Sequence, residues 1–224
     1  GTRVKSILGD IPKILAPIRN KYFLDYMLSW LYEGFKNINY ELIIASGFGH
    51  DKIQKYCADN NLNINLSREV EPLGTFGAAA NAAITSNSSN VLILNGDTIF
   101  KCDFEKVFDK FLMLDSTLSI VLNRLENERY GGYNLNKKGF LELSNNNSSY
   151  ISMGATFTKK EFLINTYKKV KLKKGPFAMM DKDFISKVSA YPFILNANNY
   201  FIDIGTLKSY NESQDCVPSL LSLN

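Results

Sequence analysis

The sequence predicts an α/β protein with a mostly parallel, mixed sheet flanked by helices and a smaller β-rich platform beside it. Three observations predict it. Apolar spacing in the first half switches repeatedly between helical and strand periods, an order that implies βαβ units. Val91-Leu92-Ile93-Leu94 is an unbroken apolar run, as expected of a strand buried on both faces in a parallel sheet. After residue 115 the pattern changes to short strand-like runs separated by turns rich in Gly and Asn.

In chain order, Pro12 and Pro17 bracket a segment that cannot be helix interior, so residues 10–17 are expected to be loop or short turn. Phe23, Leu24, Met27, Leu28 and Leu31 are spaced for an amphipathic helix over 22–35. Strands are expected at 41–45 and 63–67, with a helix at 51–60 that Asp51 would cap or charge at its start. Ala-rich residues 76–84 read as a helix with Thr75 as N-cap. Strand 91–94 and helix 104–114 follow. Strands are then expected at 117–122, 132–135, 139–143 and 150–157, with residues 145–149 as a loop tip. Helices at 159–170 and 177–188, strands at 192–195 and 201–204, and a C-terminal helix from Tyr210 that ends before Pro218 complete the reading.

At 224 residues the chain reads as a single domain, 1–224, with a nucleotide-binding half over 1–115 and a second half over 116–224. A net charge of +4 hints at anionic ligands but is too weak and too dispersed for a nucleic-acid footprint. Three widely spaced cysteines without a C-x-x-C pattern predict reduced thiols and a cytoplasmic protein. No run of 18 apolar residues predicts a membrane span. His50 is the only histidine, which excludes a multi-His metal site and most His-activated nucleophiles. If the chain is an enzyme, its chemistry must therefore run on carboxylates, Lys, Arg and a hard metal.

Two carboxylates carry that chemistry. Asp97, in N-G-D, sits where turn residues end a buried strand, the edge at which open α/β sheets bind ligands. Taken alone it is better read as a turn Asp that caps the next helix. Asp203, in F-I-D-I-G-T, is flanked by Ile202 and Ile204, and a carboxylate in such a strand needs a cation. A structural salt bridge would supply one; a single Mg²⁺ shared by both aspartates explains the two acids more economically. Arg3 and Lys13 lie in predicted loops and could bind nucleotide phosphates. Gly74, in a loop after Pro72, allows close approach of a flat base, with Glu71 or backbone groups reading its edge.

Together these segments resemble the sugar-1-phosphate nucleotidyltransferases, most closely the guanylyltransferases that act on mannose or heptose 1-phosphates. G-T-R…P-K-I-L-A-P resembles the latter part of that family's N-terminal signature, E-P-L-G-T its base-contacting loop, N-G-D its first metal aspartate and F-I-D-I-G-T-x-x-x-Y its second. Gly132, Gly154 and Asp181 resemble sugar-side positions, and Ser152 stands where the family's sugar strand has Asn. The resemblance implies a Rossmann-like nucleotidyltransferase fold. It also implies attack of a sugar 1-phosphate, expected to be manno-hexose or heptose 1-phosphate, on GTP, giving an NDP-sugar for surface polysaccharide synthesis and pyrophosphate. Asp97 and Asp203 would hold Mg²⁺; Arg3, Lys13 and Asp97 would be catalytic; Gly1, Thr2, Glu71, Leu73, Gly74, Thr75 and Gly96 would face the nucleotide. A homodimer is implied as well. The sequence departs from the pattern at Phe76, where the family often has Gly, and at residues 145–149, which replace a Glu-Lys pair. The family's first strand and glycine loop are also missing ahead of Gly1, and upstream residues are expected to supply them. A metal-dependent glycosyltransferase and a non-catalytic nucleotide-sugar-binding subunit are the rival readings.

Overall fold

The computed structural model describes residues 4–124, 132–144, 148–187, 190–195 and 200–220. The elements are α1 (Lys5–Leu8), a 3-10 turn (Lys13–Leu15), β1 (Pro17–Ile18), β2 (Lys21–Tyr22), α2 (Phe23–Gly34), β3 (Ile43–Ser46), α3 (His50–Asp59), β4 (Asn65–Arg68), α4 (Gly74–Ile84), β5 (Asn90–Leu94), β6 (Thr98–Phe100) and α5 (Phe104–Met113). They continue with β7 (Leu118–Asn123), β8 (Gly132–Leu135), β9 (Leu141–Ser144), β10 (Tyr150–Lys159), α6 (Lys160–Lys174), β11 (Tyr191–Leu195), β12 (Phe201–Asp203) and α7 (Leu207–Leu220). Among the described residues no helix is long and apolar enough to cross a membrane.

The mixed α/β class expected from the pattern is the one observed. β10 is the spine of the main sheet. It runs antiparallel to β7 on one side, and on the other to β8 at its start and β5 at its end. β7 is parallel to β11, and β3 to β4. Period-2 alternation sends Leu118, Ile120 and Leu122 of β7 to one core and Val121 to the other. α4 and α6 cover the first face with Phe76, Ala80, Leu163 and Tyr167; α2, α5 and α7 cover the second with Trp30, Phe104 and Val217.

β5, apolar from Val91 to Leu94, is half-buried along its whole length rather than enclosed on both faces. The cause is a slot of about 470 Å³ between β5 and β3, lined by Leu92, Leu94, Ile44 and Met27, so that one flank of β5 has no strand beside it among the described residues. Three further expectations fail locally. Thr75 is not an N-cap but lies inside α4, which starts at Gly74. Residues 177–187 do not form the regular helix predicted over 177–188, of which 188 lies outside the described residues. Ala178 commits its N–H to Leu73 O at 2.8 Å and its C=O to Phe76 N at 3.0 Å, so only a π-turn (Met180–Phe184) and a 3-10 turn (Ile185–Lys187) follow. α7 runs through Pro218 instead of stopping before it. Proline has no N–H for the carbonyl four residues back; here that carbonyl, Gln214 O, accepts from Arg19 Nε at 2.8 Å.

Candidate active site

The site is built at the end of β5. Asn95 N donates to Gly154 O at 2.9 Å, which turns the chain so that Gly96 and Asp97 project before β6 begins. β6 pairs antiparallel with β12, with Thr98 opposite Asp203, and Ile204 N donates to Asp97 O at 3.0 Å. The pairing is anchored by apolar neighbours: Ile99, Phe100 and Ile204 are fully buried, and Trp30 Nε1 of α2 donates to Phe100 O at 2.8 Å. Anchoring from both sides brings Asp97 and Asp203 to one rim although they are far apart in sequence.

Lys13 meets Asp97 there. Pro12 fixes an extended backbone ahead of the 3-10 turn, Leu15 N closes the turn on Pro12 O at 2.8 Å, and Leu15 is buried beneath it. The turn presents Lys13 Nζ to Asp97 Oδ2 at 2.7 Å, with the two side chains 25% and 26% exposed. Asp203 Oδ1 accepts from Gly205 N at 2.7 Å. Pro12, Lys13, Ile14 and Gly96 line one end of the slot between β3 and β5, so the charged corner stands at its mouth. Among the described residues no group of three or more His, Cys, Asp or Glu could hold a metal. Two aspartates with hard oxygen donors, one on the turn before β6 and one at the end of β12, nevertheless suit Mg²⁺, which commonly takes one or two carboxylates and completes its shell with water and substrate phosphates. His50 takes no part: it is buried and its Nδ1 lies 2.8 Å from Ser46 Oγ.

The loop before α4 is fixed by backbone. Leu73 N donates to Glu69 Oε2 at 3.1 Å, and Leu73 O accepts from Ala178 N. Gly74 has φ +71°, and a Cβ there would lie 2.4 Å from Ala178 O, so both conformation and space require glycine. Thr75 Oγ1 accepts from Met180 N at 3.0 Å. Glu71 is exposed, and a Cβ on Gly96 would meet only Ile14 Cδ1 at 3.8 Å, so both remain open to a ligand. Phe76 turns away from this loop. It is fully buried, stacked on Phe184 with ring centroids 4.5 Å apart and edge-on to Tyr167.

On the other side, Gly132 pairs with Ile151, and a Cβ on Gly132 would fall on the Ser148 side chain; its lack of a side chain makes room for that packing. Ser152 Oγ accepts from Gly154 N at 3.1 Å. Gly154 has φ +76° where the β10 register against β7 breaks, and a Cβ would come within 2.6 Å of Asn95 Nδ2. Asp181 is exposed, and the Tyr133 hydroxyl donates to its Oδ1. Tyr133 is 1% exposed, and burial, reinforced by the Asp181 charge, pushes its phenol well above the ordinary value. Asp183 is differently occupied, taking Met179 N at 2.7 Å and Lys174 Nζ at 2.5 Å.

Lys13 and Asp97 thus meet, the pairing of β6 with β12 sets Asp203 opposite Thr98 next to them, and Gly154 and Ser152 adjoin this corner through Asn95. Gly1, Thr2, Arg3 and residues 145–147 lie outside the described residues. Sequence reasoning did not single out Tyr133, Asn95 or Ala178. Asn95 stood within the N-G-D motif and Tyr133 within Gly131-Gly132-Tyr133, which resembles a sugar-side segment, but neither had a role of its own; Ala178 gave no local signal, because its partners lie far along the chain.

Residues 1–218 match the family model described as Nucleotidyl transferase. The chain is 33% identical over 228 residues to a D-glycero-alpha-D-manno-heptose 1-phosphate guanylyltransferase of Aneurinibacillus thermoaerophilus, spanning 96% of this chain and 93% of that one. It is 33% identical over 224 residues to the protein of the same name from Campylobacter jejuni, spanning 94% and 92%. The crystal structure of HddC from Yersinia pseudotuberculosis complexed with GMP-PN superposes with a TM-score of 0.78 at 25% identity, over 96% of this chain and 94% of that one.

Proposed function

The chain belongs to the nucleotidyl transferase family, and we propose that it joins GTP to a manno-configured heptose 1-phosphate, forming an NDP-sugar and pyrophosphate. The observation that carries this reading is the ion pair of Lys13 Nζ with Asp97 at 2.7 Å beside β12, whose pairing sets Asp203 opposite Thr98, the residue after Asp97. The choice of GTP and heptose phosphate follows the names of the two relatives and the GMP-PN complex. The half over 1–115 takes the nucleotide and the half over 116–224 the sugar. Three free cysteines accord with work in the cytoplasm.

The attacking sugar phosphate is already an anion at neutral pH, so no Ser, Cys or His needs activation. The difficulty is bringing two anions together while charge grows on the departing pyrophosphate, a problem of positioning and electrostatics. Asp97 and Asp203 would hold Mg²⁺, which when bound supplies positive charge to the phosphate oxygens. Lys13 leaves Asp97 for the α-phosphate, and Arg3 faces the pyrophosphate. Glu71, Leu73 and Gly74, with Gly1, Thr2, Thr75 and Gly96, border the nucleotide; Gly132, Ser152, Gly154 and Asp181 border the sugar. In this arrangement the Thr75 hydroxyl and Gly132 act mainly through packing, since Met180 N and Ser148 already occupy them.

The test mixes the full chain with GTP, D-glycero-D-manno-heptose 1-phosphate and Mg²⁺ and follows pyrophosphate. Pyrophosphate release that requires both substrates is expected. Release of nucleoside diphosphate instead would move the chain to glycosyl transfer, and stable binding without turnover would make it a sensor.

A further inference from the structure

We propose that Tyr133 is a positioning residue for Asp181, locking that carboxylate in the orientation that reads the hydroxyl groups of the sugar 1-phosphate. This rests on the reading of Asp181 as a sugar contact.

Asp181 is an exposed side chain on a short π-turn, a setting that leaves a carboxylate free to rotate. Tyr133 removes that freedom from below. Its ring is in the core with Phe76, Leu141 and Phe184, and only its hydroxyl reaches the surface carboxylate. The ring cannot swing away, because it is packed in that core at 1% exposure and its strand is paired on both sides, Tyr133 with Tyr150 and with Leu143. The backbone under Asp181 is held as well, by Met180 N on Thr75 Oγ1 and by Ala178 on Leu73 and Phe76. One carboxylate oxygen is thereby fixed by a rigid donor, and the carboxylate is aimed as an acceptor. An acceptor-only anion repels the phosphate and suits neutral hydroxyls. Burial keeps the phenol protonated across the neutral range, so the donor is always present.

A buried tyrosine hydroxyl needs a partner whatever its role; kinetics separate mere satisfaction of that need from positioning. Tyr133→Phe, Asp181→Asn, Asp181→Glu and the double variant Tyr133→Phe/Asp181→Asn are assayed for pyrophosphate release with GTP and the heptose 1-phosphate varied in turn, and each is checked by thermal melting. Tyr133→Phe and Asp181→Asn should each raise KM for the sugar phosphate roughly ten-fold, as for loss of a hydrogen bond involving a charged group, with KM for GTP within two-fold. The double variant should be no worse than Asp181→Asn alone, because Tyr133 acts through Asp181. If Asp181→Asn leaves the sugar KM unchanged, Asp181 is not a sugar contact and the proposal falls with that reading. If Asp181→Asn raises it while Tyr133→Phe does not, or the two effects add, the reading of Asp181 stands and the positioning role is overturned. Should Tyr133→Phe melt below assay temperature, Asp181→Glu decides. Displacing the charge by one methylene raises the sugar KM if position matters and leaves it unchanged if charge alone suffices, which overturns the proposal.

Discussion

Two regions around the site are built in opposite ways. At the charged corner, Lys13 and Asp97 form an ion pair a quarter exposed, carried on the ends of a turn and a strand. At the joint between α4 and residues 176–183, the contacts are between backbones, beneath buried aromatics and around a glycine that admits no side chain. A partly exposed ion pair contributes only ~0–1 kcal/mol to stability, so the corner can exchange partners when ligands arrive at small cost to the fold. The joint cannot move without breaking several hydrogen bonds and unstacking Phe76 from Phe184. The difference teaches that chemistry and rigidity are assigned to neighbouring but separate contacts.

Substitutions can break that division. Phe76→Ala should have the largest effect, a loss of ~3–5 kcal/mol of stability, read as a fall in the denaturant midpoint; an unchanged KM for GTP in the residual folded protein would keep Phe76 out of the nucleotide pocket. Asp97→Asn or Lys13→Ala should lower turnover by roughly 10²–10³-fold, as for one lost electrostatic partner of the transition state, while the melting temperature shifts by no more than about 4 °C. A large melting shift with near-normal turnover would reverse the roles of the two regions. Gly74→Ala should cost ~1–3 kcal/mol from its left-handed φ, with more from the approach to Ala178 O, seen in chemical denaturation.

Two smaller effects sharpen the comparison. Lys13→Ala should tighten binding of Mn²⁺ alone, up to about five-fold, since Asp97 loses a competing cation worth ~1 kcal/mol at most; isothermal titration without nucleotide measures it, and weaker binding would remove the competition. Tyr133 gives a pH signature. Its folded-state pKa lies above the ordinary 10.0, so the stability linked to its neutral form is complete below pH 10 and is lost as pH rises beyond it. Tyr133→Phe should therefore lose less stability than the parent chain between about pH 10 and 11.

Much of this was legible in the chain. Helices α2 and α5 follow apolar periodicity and α4 its run of alanines, and Asp103 caps α5 by accepting from Lys106 N at 3.0 Å. Asp97 and Asp203 were marked because an acid at the end of, or within, an apolar strand demands an explanation that a few residues can pose. Residues 177–187 misled because periodicity records which side chains are apolar but not whether the backbone is already bonded elsewhere. Pro218 misled likewise, since the arginine that relieves its carbonyl is almost two hundred residues away.

The sequence by itself determined the α/β alternation and marked the carboxylates and lysine that are proposed to carry the chemistry. Those properties are local, set by side-chain period and residue type. Only the tertiary structure decided that β12 lays Asp203 beside Asp97, that Ala178 closes the start of α4, that Phe76 faces the core and that Tyr133 holds Asp181. Each of these joins residues distant along the chain through strand pairing or buried packing, and such contacts leave no periodic trace in the residues that make them.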